Sequence, residues 1–219
     1  MERPLVAVVG AGQGIGRSVA RAFADHGFRA ALVCKPDADE AAFLDAMGDG
    51  GVVLRGDVGD PAALDACLDE IAARVGFPDV LVYNASLGAP GGPSTLDIAD
   101  LERHFRVNVT AALRCAQWAL PAMRGRGRGT LLFTGGGLAL DPKGGEASLS
   151  IGKAGLRSLA LCLAQEVEPE GLHVATVTVC GFVQPGSLFD ADHVAAQFWA
   201  LYTQPRDRWE REVILRPSA

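Results

Sequence analysis

The sequence predicts an α/β fold, a doubly wound parallel sheet of seven strands with helices on both faces. Short apolar runs alternate along the whole chain with segments of helical periodicity, a pattern typical of parallel sheets covered by helices. A glycine-rich turn lies directly after the first apolar run, where such folds make their first crossover. No linker, internal repeat or low-complexity tract interrupts the pattern, so residues 1–219 are expected to form a single domain.

The strands are predicted from apolar runs, most of them short and continuous as in strands buried on both faces. They are Leu5–Val9, Ala30–Cys34, Gly51–Arg55, Asp79–Tyr83, Thr130–Thr134, His173–Val179 and Glu212–Arg216. The helices are expected to begin near Gly14, Asp39, Pro61, Asp97, Ser148 and Asp192. The clearest beginning is at Pro61, because Asp60 can cap the helix and proline suits the first helical position. The arginine–glycine run 124–129 is expected to be a loop between a helix and a strand.

Composition and charge argue against several classes of function. The formal net charge of −6 does not suit non-specific binding to nucleic acid, which depends on a basic surface. No apolar run reaches the roughly 18 residues that span a bilayer, and a strand begins at once, so neither a membrane segment nor a signal peptide is expected. The five cysteines are scattered without a CxxC pair, which predicts reduced thiols, no metal site and a cytoplasmic location.

The turn VVGAGQGIG, residues 8–16, predicts a Rossmann-like dinucleotide-binding site. Gly10 would permit the tight turn, Gly14 would let a pyrophosphate approach the backbone, and Gly16 would let the helix pack closely on the strand. Gln13 and Ile15 lie between these glycines and are expected to contact the dinucleotide as well. A glycine triplet alone is unspecific, but its position between the first strand and the first helix favours dinucleotide binding.

The G-x-x-x-G-x-G spacing of this turn resembles the short-chain dehydrogenase/reductase family, and further matches follow in order along essentially the whole chain. They are GDVGD at 56–60, YNAS at 83–86, RVNVT at 106–110 and VCGFV at 179–183, which is similar to the family's Pro-Gly-x-Val element. The resemblance places the family's structural and catalytic asparagine at Asn108. It also implies contacts to the dinucleotide from Asp57, Val58, Asn84, Ala85, Gly181 and Val183.

The end of the second strand bears on the choice of cofactor. An acid there would hydrogen-bond the ribose 2′-hydroxyl of NAD, but this chain has Cys34, followed by Lys35. A lysine suits the 2′-phosphate of NADP, and Arg17 on the first helix could assist it. The alternative is that Lys35 is a solvated charge, neutralised by Asp37 and Asp39. The missing acid and the present base favour NADP(H) over NAD(H).

Two of the family's four catalytic residues are missing at the matched positions. Family enzymes use a tyrosine as proton donor, a serine that binds the substrate oxygen, a lysine and an asparagine. Here Gly136 matches the serine and Leu149 the tyrosine, while Asn108 and Lys153 are kept. Because the family's lysine also holds the nicotinamide ribose, Lys153 is interpreted first as a cofactor ligand. The alternative is a surface lysine whose stem covers an amphipathic helix.

The hydroxyl-free centre limits the chemistry that is expected. A leucine donates no proton, and general acids contribute on the order of 10²–10⁴ in rate, so plain ketone reduction should be slow. The neighbouring hydroxyls of Thr134, Ser148 and Ser150 could replace the missing groups. This is the lesser alternative, because their directions on strand and helix do not suit the substrate position. His104 is expected to be a packing or surface residue.

Three hypotheses follow. The first is an NADP(H)-dependent oxidoreductase for a small molecule that needs no tyrosine acid, such as an imine or an activated C=C bond. The second is a dinucleotide-binding protein without redox turnover: a non-redox enzyme, a cofactor sensor or an inactive partner. The third and least supported is a structural protein that binds no nucleotide.

The substrate cleft and the assembly are predicted more coarsely. The apolar wall candidates are Leu87, Leu138, Leu140, Leu149, Phe182 and Phe189, with Trp199 less favoured. The resemblance implies a homodimer or homotetramer that pairs helices at 97–123 and 148–168. Gly152, Gly155 and Ala160 would permit close contact there.

Overall fold

A parallel sheet of seven strands organises the computed structural model, which describes residues 3–217. The strands are β1 (Leu5–Val9), β2 (Arg29–Cys34), β3 (Val52–Arg55), β4 (Val80–Tyr83), β5 (Gly129–Gly136), β6 (Leu172–Val179) and β7 (Glu212–Leu215). They lie in the order β3-β2-β1-β4-β5-β6-β7, which confirms the predicted fold class. β5 continues past its predicted end at Thr134, because Gly135 and Gly136 still pair with β6.

Among residues 3–217, six α-helices connect the strands. They are α1 (Ile15–Ala24), α2 (Pro61–Val75), α3 (Ile98–Phe105), α4 (Ala111–Arg126), α5 (Ala147–Val167) and α6 (Ala191–Tyr202), and a π-helical turn, Arg106–Thr110, joins α3 to α4. Asp60 and Asp97 cap their helices through side-chain oxygens, as aspartate does at helix beginnings. The helix expected near Asp39 is a short 3₁₀ helix, Glu40–Ala46, and Gly48 and Gly50, both with positive φ, lie in the turn that follows it.

The prediction of a loop over 124–129 is wrong for its first half. α4 continues to Arg126, and the chain leaves the helix at Gly127, whose φ of +64° is left-handed. Within this last turn of α4 the Arg124 guanidinium binds Glu166 on α5 and Glu170 in the turn after α5. Arg126 donates to the carbonyls of Phe77 and Pro78.

The two faces of the sheet carry separate hydrophobic cores. One core lies beneath α2, α4 and α5, and the other beneath α1 and α6. Residues 147–170 are long and apolar enough to cross a membrane by length and composition, yet half of the 18-residue apolar window within them is buried, as in the core helix of a fold. The helix packs on β5 and β6.

The small residues of α5 are used within the chain. A Cβ on Gly152 would lie 2.5 Å from Nδ2 of Asn108, and one on Gly155 would lie 2.9 Å from Val109 Cγ2. Ala160 is buried in the core. The expectation that these residues permit contact with another subunit is therefore wrong, since they let α5 approach its own π-helical turn and core.

The strand order reverses between β1 and β4, because β2 lies on one side of β1 and β4 on the other. In open parallel sheets the ligand crevice lies at such a point, outside the carboxyl ends of the strands. The glycine turn after β1 and the segment after β4 meet there.

Candidate active site

An open cleft of about 830 Å³ lies at the carboxyl ends of β4, β5 and β6. Its floor is the end of β5, one wall is the beginning of α5, and the other is the segment 179–183 after β6. Ile15, Asn84 and Lys153 line it, and the surface is mostly apolar. This is the size and character of a small-molecule site.

The glycine turn is shaped by close contact with the segment after β4. Gly10 has φ of +87°, and a Cβ there would lie 2.3 Å from the backbone nitrogen of Ala85. A Cβ on Gly16 would lie 2.8 Å from the Gly10 carbonyl oxygen, so α1 approaches the turn closely. A Cβ on Gly14 would meet no atom within 4 Å, and no side chain of residues 3–217 caps α1. This opening at a helix N-terminus suits a pyrophosphate.

The Gly10→Ala variant is expected to lose about 2–4 kcal/mol of unfolding free energy, because the new Cβ strains a left-handed residue and meets the backbone of Ala85. Urea denaturation measures the loss. Gly12→Ala is the matched control, since its Cβ would have no atom within 4 Å. Equal stability of the two variants would contradict this account of the turn.

A hydrogen-bonded chain joins the glycine turn to the cleft floor. Asn84 Nδ2 donates to the Gly10 carbonyl oxygen at 2.8 Å, and Thr134 Oγ1 donates to Asn84 Oδ1 at 2.8 Å. Lys153 Nζ donates to the carbonyl oxygen of the same Thr134 at 2.8 Å. The resemblance implied a cofactor contact for Asn84 and for Lys153 independently. The fold links the two side chains through Thr134 at the end of β5.

Lys153 is a buried amine at the edge of the cleft, with 8% of its surface exposed. The carbonyl of Thr134 is its one hydrogen-bond acceptor among the described residues. Burial lowers the pKa of Lys153 to about 8, because no carboxylate offsets the loss of water around the ammonium. Its remaining N–H groups are available to a ligand, such as ribose hydroxyls. This differs from a solvated surface lysine.

The positions that match the missing serine and tyrosine both lie in the cleft. Gly136 lies beneath the Lys153 stem, and a Cβ on it would lie 3.3 Å from Cγ, Cδ and Cε of that lysine. Leu149 lines the cleft and is backed by Gly88. The two tyrosines are elsewhere: the buried Tyr83 hydroxyl donates to the Val107 carbonyl, and Tyr202 packs on Phe23.

The neighbouring hydroxyls already have protein partners. Thr134 donates to Asn84, and the buried Ser148 Oγ lies 2.9 Å from His104 Nδ1. Ser150 Oγ accepts from the backbone N–H of Lys143 at 3.2 Å. Neither serine lines the cleft, so the geometry does not favour their replacing the tyrosine. His104 is a buried packing residue.

Asn108 lies in the π-helical turn and is fully buried. Its Oδ1 accepts from the Leu87 N–H at 3.0 Å, and its Nδ2 donates to the Leu87 carbonyl at 2.6 Å. The side chain therefore fixes the segment after β4 and does not line the cleft. A direct catalytic role for Asn108 stays a prediction.

The end of β2 has no acid that could bind a ribose. Cys34 is buried, and its Sγ contacts the Leu54 carbonyl at 3.3 Å, so the thiol turns into the sheet. Lys35 is exposed directly after it. Arg17 Nη2 is 2.5 Å from Asp45 Oδ2, so this guanidinium is already paired.

The adenine-side residues lie on the loops beside the glycine turn. Asp57 is exposed, and its Oδ1 accepts from the Gly59 N–H at 2.8 Å. Val58 and Ala85 are half-buried against the core, and Gln13 is exposed. Their contacts to a dinucleotide stay predictions.

The segment after β6 forms the outer wall. Gly181 and Val183 line the cleft, and a Cβ on Gly181 would meet the ring of Phe189. Phe182 also lines the cleft and is 87% exposed. The ring of Phe189 therefore packs behind this segment. Only glycine at position 181 allows the ring to approach the backbone so closely.

The predicted apolar walls are correct in part. Leu138, Leu140, Leu149 and Phe182 line the cleft. Leu87, Phe189 and Trp199 do not: the backbone of Leu87 binds Asn108, Phe189 packs behind Gly181, and Trp199 stacks on His26.

Several polar cleft residues were missed as site candidates, namely Ser86, Asp141, Lys143, Glu146, Cys180 and Arg216. Glu146 stands three residues before Leu149, so the helical spacing of α5 could have indicated it. Cys180 was noticed only as a replacement for proline. Arg216 is brought to the cleft by the pairing of β7 with β6, which no local pattern reveals.

The family model described as short chain dehydrogenase matches residues 4–190 of this chain. The chain belongs to the short-chain dehydrogenase/reductase family. An uncharacterized short-chain type dehydrogenase/reductase of Sinorhizobium fredii is 35% identical over 182 residues, covering 76% of this chain and 68% of that protein. The 3-oxoacyl-(acyl-carrier-protein) reductase FabG of Escherichia coli is 28% identical over 183 residues, covering 84% and 75%.

Solved structures of short-chain dehydrogenases/reductases share the whole fold. A metagenomic short-chain oxidoreductase in complex with NADP superposes with a TM-score of 0.86, covering 100% of this chain and 99% of that one at 24% identity. At that identity the likeness concerns the fold. The seven-stranded sheet with its helices is thus the fold of these solved structures.

Proposed function

We propose that the chain is an NADP(H)-dependent oxidoreductase whose substrate needs no tyrosine acid, an imine or an activated C=C bond in preference to a plain ketone. The observation that carries the proposal is the contrast within one cleft. Asn84 and Lys153 remain beside an open glycine turn, whereas Gly136 and Leu149 leave the reacting centre without the family's two hydroxyls.

The described residues fit a nicotinamide dinucleotide. The uncapped start of α1 and the space beside Gly14 suit a pyrophosphate. Within residues 3–217 the ammonium of Lys153 makes one hydrogen bond, to the Thr134 carbonyl, so its other N–H groups suit ribose hydroxyls. The other proposed contacts come from Gly10, Gln13, Ile15, Gly16, Asp57, Val58, Asn84, Ala85, Gly181 and Val183. When bound, a reduced nicotinamide supplies a hydride.

The preference among substrates follows from the lost acid. A ketone becomes an alkoxide unless a proton arrives, and Leu149 cannot donate one. A protonated imine carries its positive charge already, and an activated C=C bond can take its proton from water. Both therefore avoid a loss that is on the order of 10²–10⁴ in rate.

A dinucleotide-binding protein without redox turnover is the second candidate. The absence of both hydroxyls from the cleft floor favours it. Deuterium transfer from labelled NADPH to a panel of imines and enones separates the two candidates. Transfer supports the oxidoreductase, and NADPH binding without any transfer supports the second candidate.

NADPH is expected to bind at least about tenfold more tightly than NADH, because the exposed Lys35 can form a charge-assisted hydrogen bond to the 2′-phosphate. Lys35→Ala should remove this preference and leave NADH binding unchanged. Fluorescence titration with both nucleotides measures it. Arg74→Ala is the control, since Arg74 pairs with Glu70 on the surface of α2. An unchanged preference in Lys35→Ala would reject Lys35 as the phosphate ligand.

The assembly and location belong to the same proposal. We propose a homodimer or homotetramer, supported by the exposed apolar side chains of Ile98 and Phe105 on α3 and of Ile151 on α5. The five cysteines are free thiols, which supports a cytoplasmic location. Light scattering coupled to size exclusion would determine the number of subunits.

A further inference from the structure

Five charged side chains line the cleft, and they differ in how far other groups neutralise them. The five are Asp141, Lys143, Glu146, Lys153 and Arg216. Asp141 and Lys143 form an ion pair with each other, and Lys153 donates to a backbone carbonyl. Arg216 interacts electrostatically with Glu212, whereas Glu146 has no side-chain partner among residues 3–217. Glu146 is thus the unpaired carboxylate of the cleft.

Glu146 is held in place through its backbone. The segment beside it pairs with Gly91: the Gly91 N–H donates to the Gly145 carbonyl at 2.8 Å, and the Ala147 N–H donates to the Gly91 carbonyl at 3.2 Å. The Glu146 carbonyl accepts from the Ser150 N–H at 2.9 Å, which begins α5. The carboxylate therefore projects from a fixed point of the cleft wall.

One face of α5 presents a carboxylate, an apolar side chain and an amine in sequence. Glu146, Leu149 and Lys153 are spaced three and four residues apart, so all three line the cleft. With the rise of an α-helix, about 10 Å separates the backbone positions of the first and the last. Arg216 lies across the cleft, where the Cys180 N–H donates to the Leu215 carbonyl at 2.8 Å.

We infer that the cleft takes a cation, an iminium ion whose nitrogen lies at the Glu146 carboxylate while its ring covers Leu149. The inference rests on the function proposed above and selects between its two substrate classes. A neutral C=C compound over Leu149 would remove water from the half-buried carboxylate of Glu146 without placing a positive charge beside it. Desolvating an unpaired carboxylate costs binding free energy. An iminium ion returns a positive charge at that point.

The chemistry of an iminium ion fits the missing acid. Its reduction adds a hydride from a nicotinamide cofactor to the carbon and leaves the C=N electron pair on nitrogen as a lone pair. The product is a neutral amine, so no proton has to come from residue 149. Asp141, Lys143, Lys153 and Arg216 are the other charges that face the substrate. Arg216 opposes the cation from the far wall and Lys153 opposes it from the other end of the same helix face, whereas Asp141 and Lys143 offset each other.

Direct binding tests the inference with N-methylisoquinolinium and its neutral carbon analogue 2-methylnaphthalene, which differ in one ring atom and one charge. Calorimetry on the full chain, with and without NADPH, should show the cation bound about tenfold more tightly. Glu146→Gln should reduce this preference to near parity, whereas Asp207→Asn, an acid outside the cleft, should preserve it. Arg216→Ala should increase the preference for the cation about twofold. This variant is a second test that leaves α5 unchanged.

Equal affinity of the wild-type protein for the two probes, or a full preference in Glu146→Gln, would overturn the inference. Failure of this inference and failure of the proposed function give different results. Failure of NADPH to bind would reject that function, while the charge preference of the cleft would still be measured on the cofactor-free protein.

Discussion

Replacing Leu149 with tyrosine is expected to raise the rate of NADPH-dependent ketone reduction by about 10²-fold, the lower end of a general acid's contribution. Leu149 lines the cleft one helical turn before Lys153, so the phenol would lie on the same helix face as a cation. A neighbouring ammonium favours the ionised phenol and lowers its pKa toward neutrality. The measurement is kcat/KM for a panel of simple ketones.

Leu149→Phe is the matched control, because it adds the same ring without the hydroxyl. It should leave ketone reduction at the wild-type level. Equal rates for the phenylalanine and tyrosine variants would show that ring packing, and not proton donation, limits the reaction.

Restoring the serine as well should add less. A side chain at Gly136 needs the Lys153 stem to move by a few tenths of an ångström from its 3.3 Å contacts, which a flexible chain permits. One donor to a developing oxyanion is worth about 3 kcal/mol where it is well placed, but moving the lysine offsets part of this gain. Leu149→Tyr alone is therefore the cleaner experiment.

The sequence predicts the layers of this fold better than the fine geometry of its cleft. Continuous apolar runs determine strands that are buried on both faces, so all seven could be placed from the sequence. Arg124–Arg126 was misplaced because its partners lie far along the chain: Arg124 binds Glu166 and Glu170, and Arg126 binds the Phe77 and Pro78 carbonyls. Gly152 was misassigned for a similar reason, since its partner Asn108 lies on another element.

The cleft could be predicted in outline because its motifs follow strand ends. Gly10, Asn84 and Lys153 converge as the resemblance implies, but the link between them through Thr134 depends on the register of β5. Arg216 reaches the cleft only through the pairing of β6 and β7. Such long-range contacts leave no periodic pattern in the sequence.

Replacing Lys153 with methionine is expected to stabilise the cofactor-free protein at pH 7 by about 1–3 kcal/mol. The gap between a pKa of about 8 in the fold and the ordinary value of 10.5 corresponds to about 3 kcal/mol at most, because the buried ammonium costs that much relative to the unfolded chain. Methionine keeps the apolar stem and removes the charge. Urea denaturation measures the difference, and NADPH titration should show weakened binding in the same variant.

The pH dependence has a definite sign. Between about pH 8 and 10.5 the unfolded chain binds the lysine proton that the folded chain has released, so this group raises stability as pH increases. Burial raises the pKa of the Cys34, Cys67 and Cys115 thiols, and these groups lower stability over the same range. The comparison with Lys153→Met isolates the lysine, because both proteins share the cysteines.

The advantage of Lys153→Met should therefore shrink as pH rises from 7 to 10, whereas Lys35→Met, at an exposed lysine, should match the wild type throughout. A Lys153→Met protein that is less stable at pH 7 would show that the Thr134 hydrogen bond outweighs the cost of burying the charge. The expected result has a functional meaning: the chain keeps a destabilising cation in its cleft, as proteins do where a ligand needs that charge.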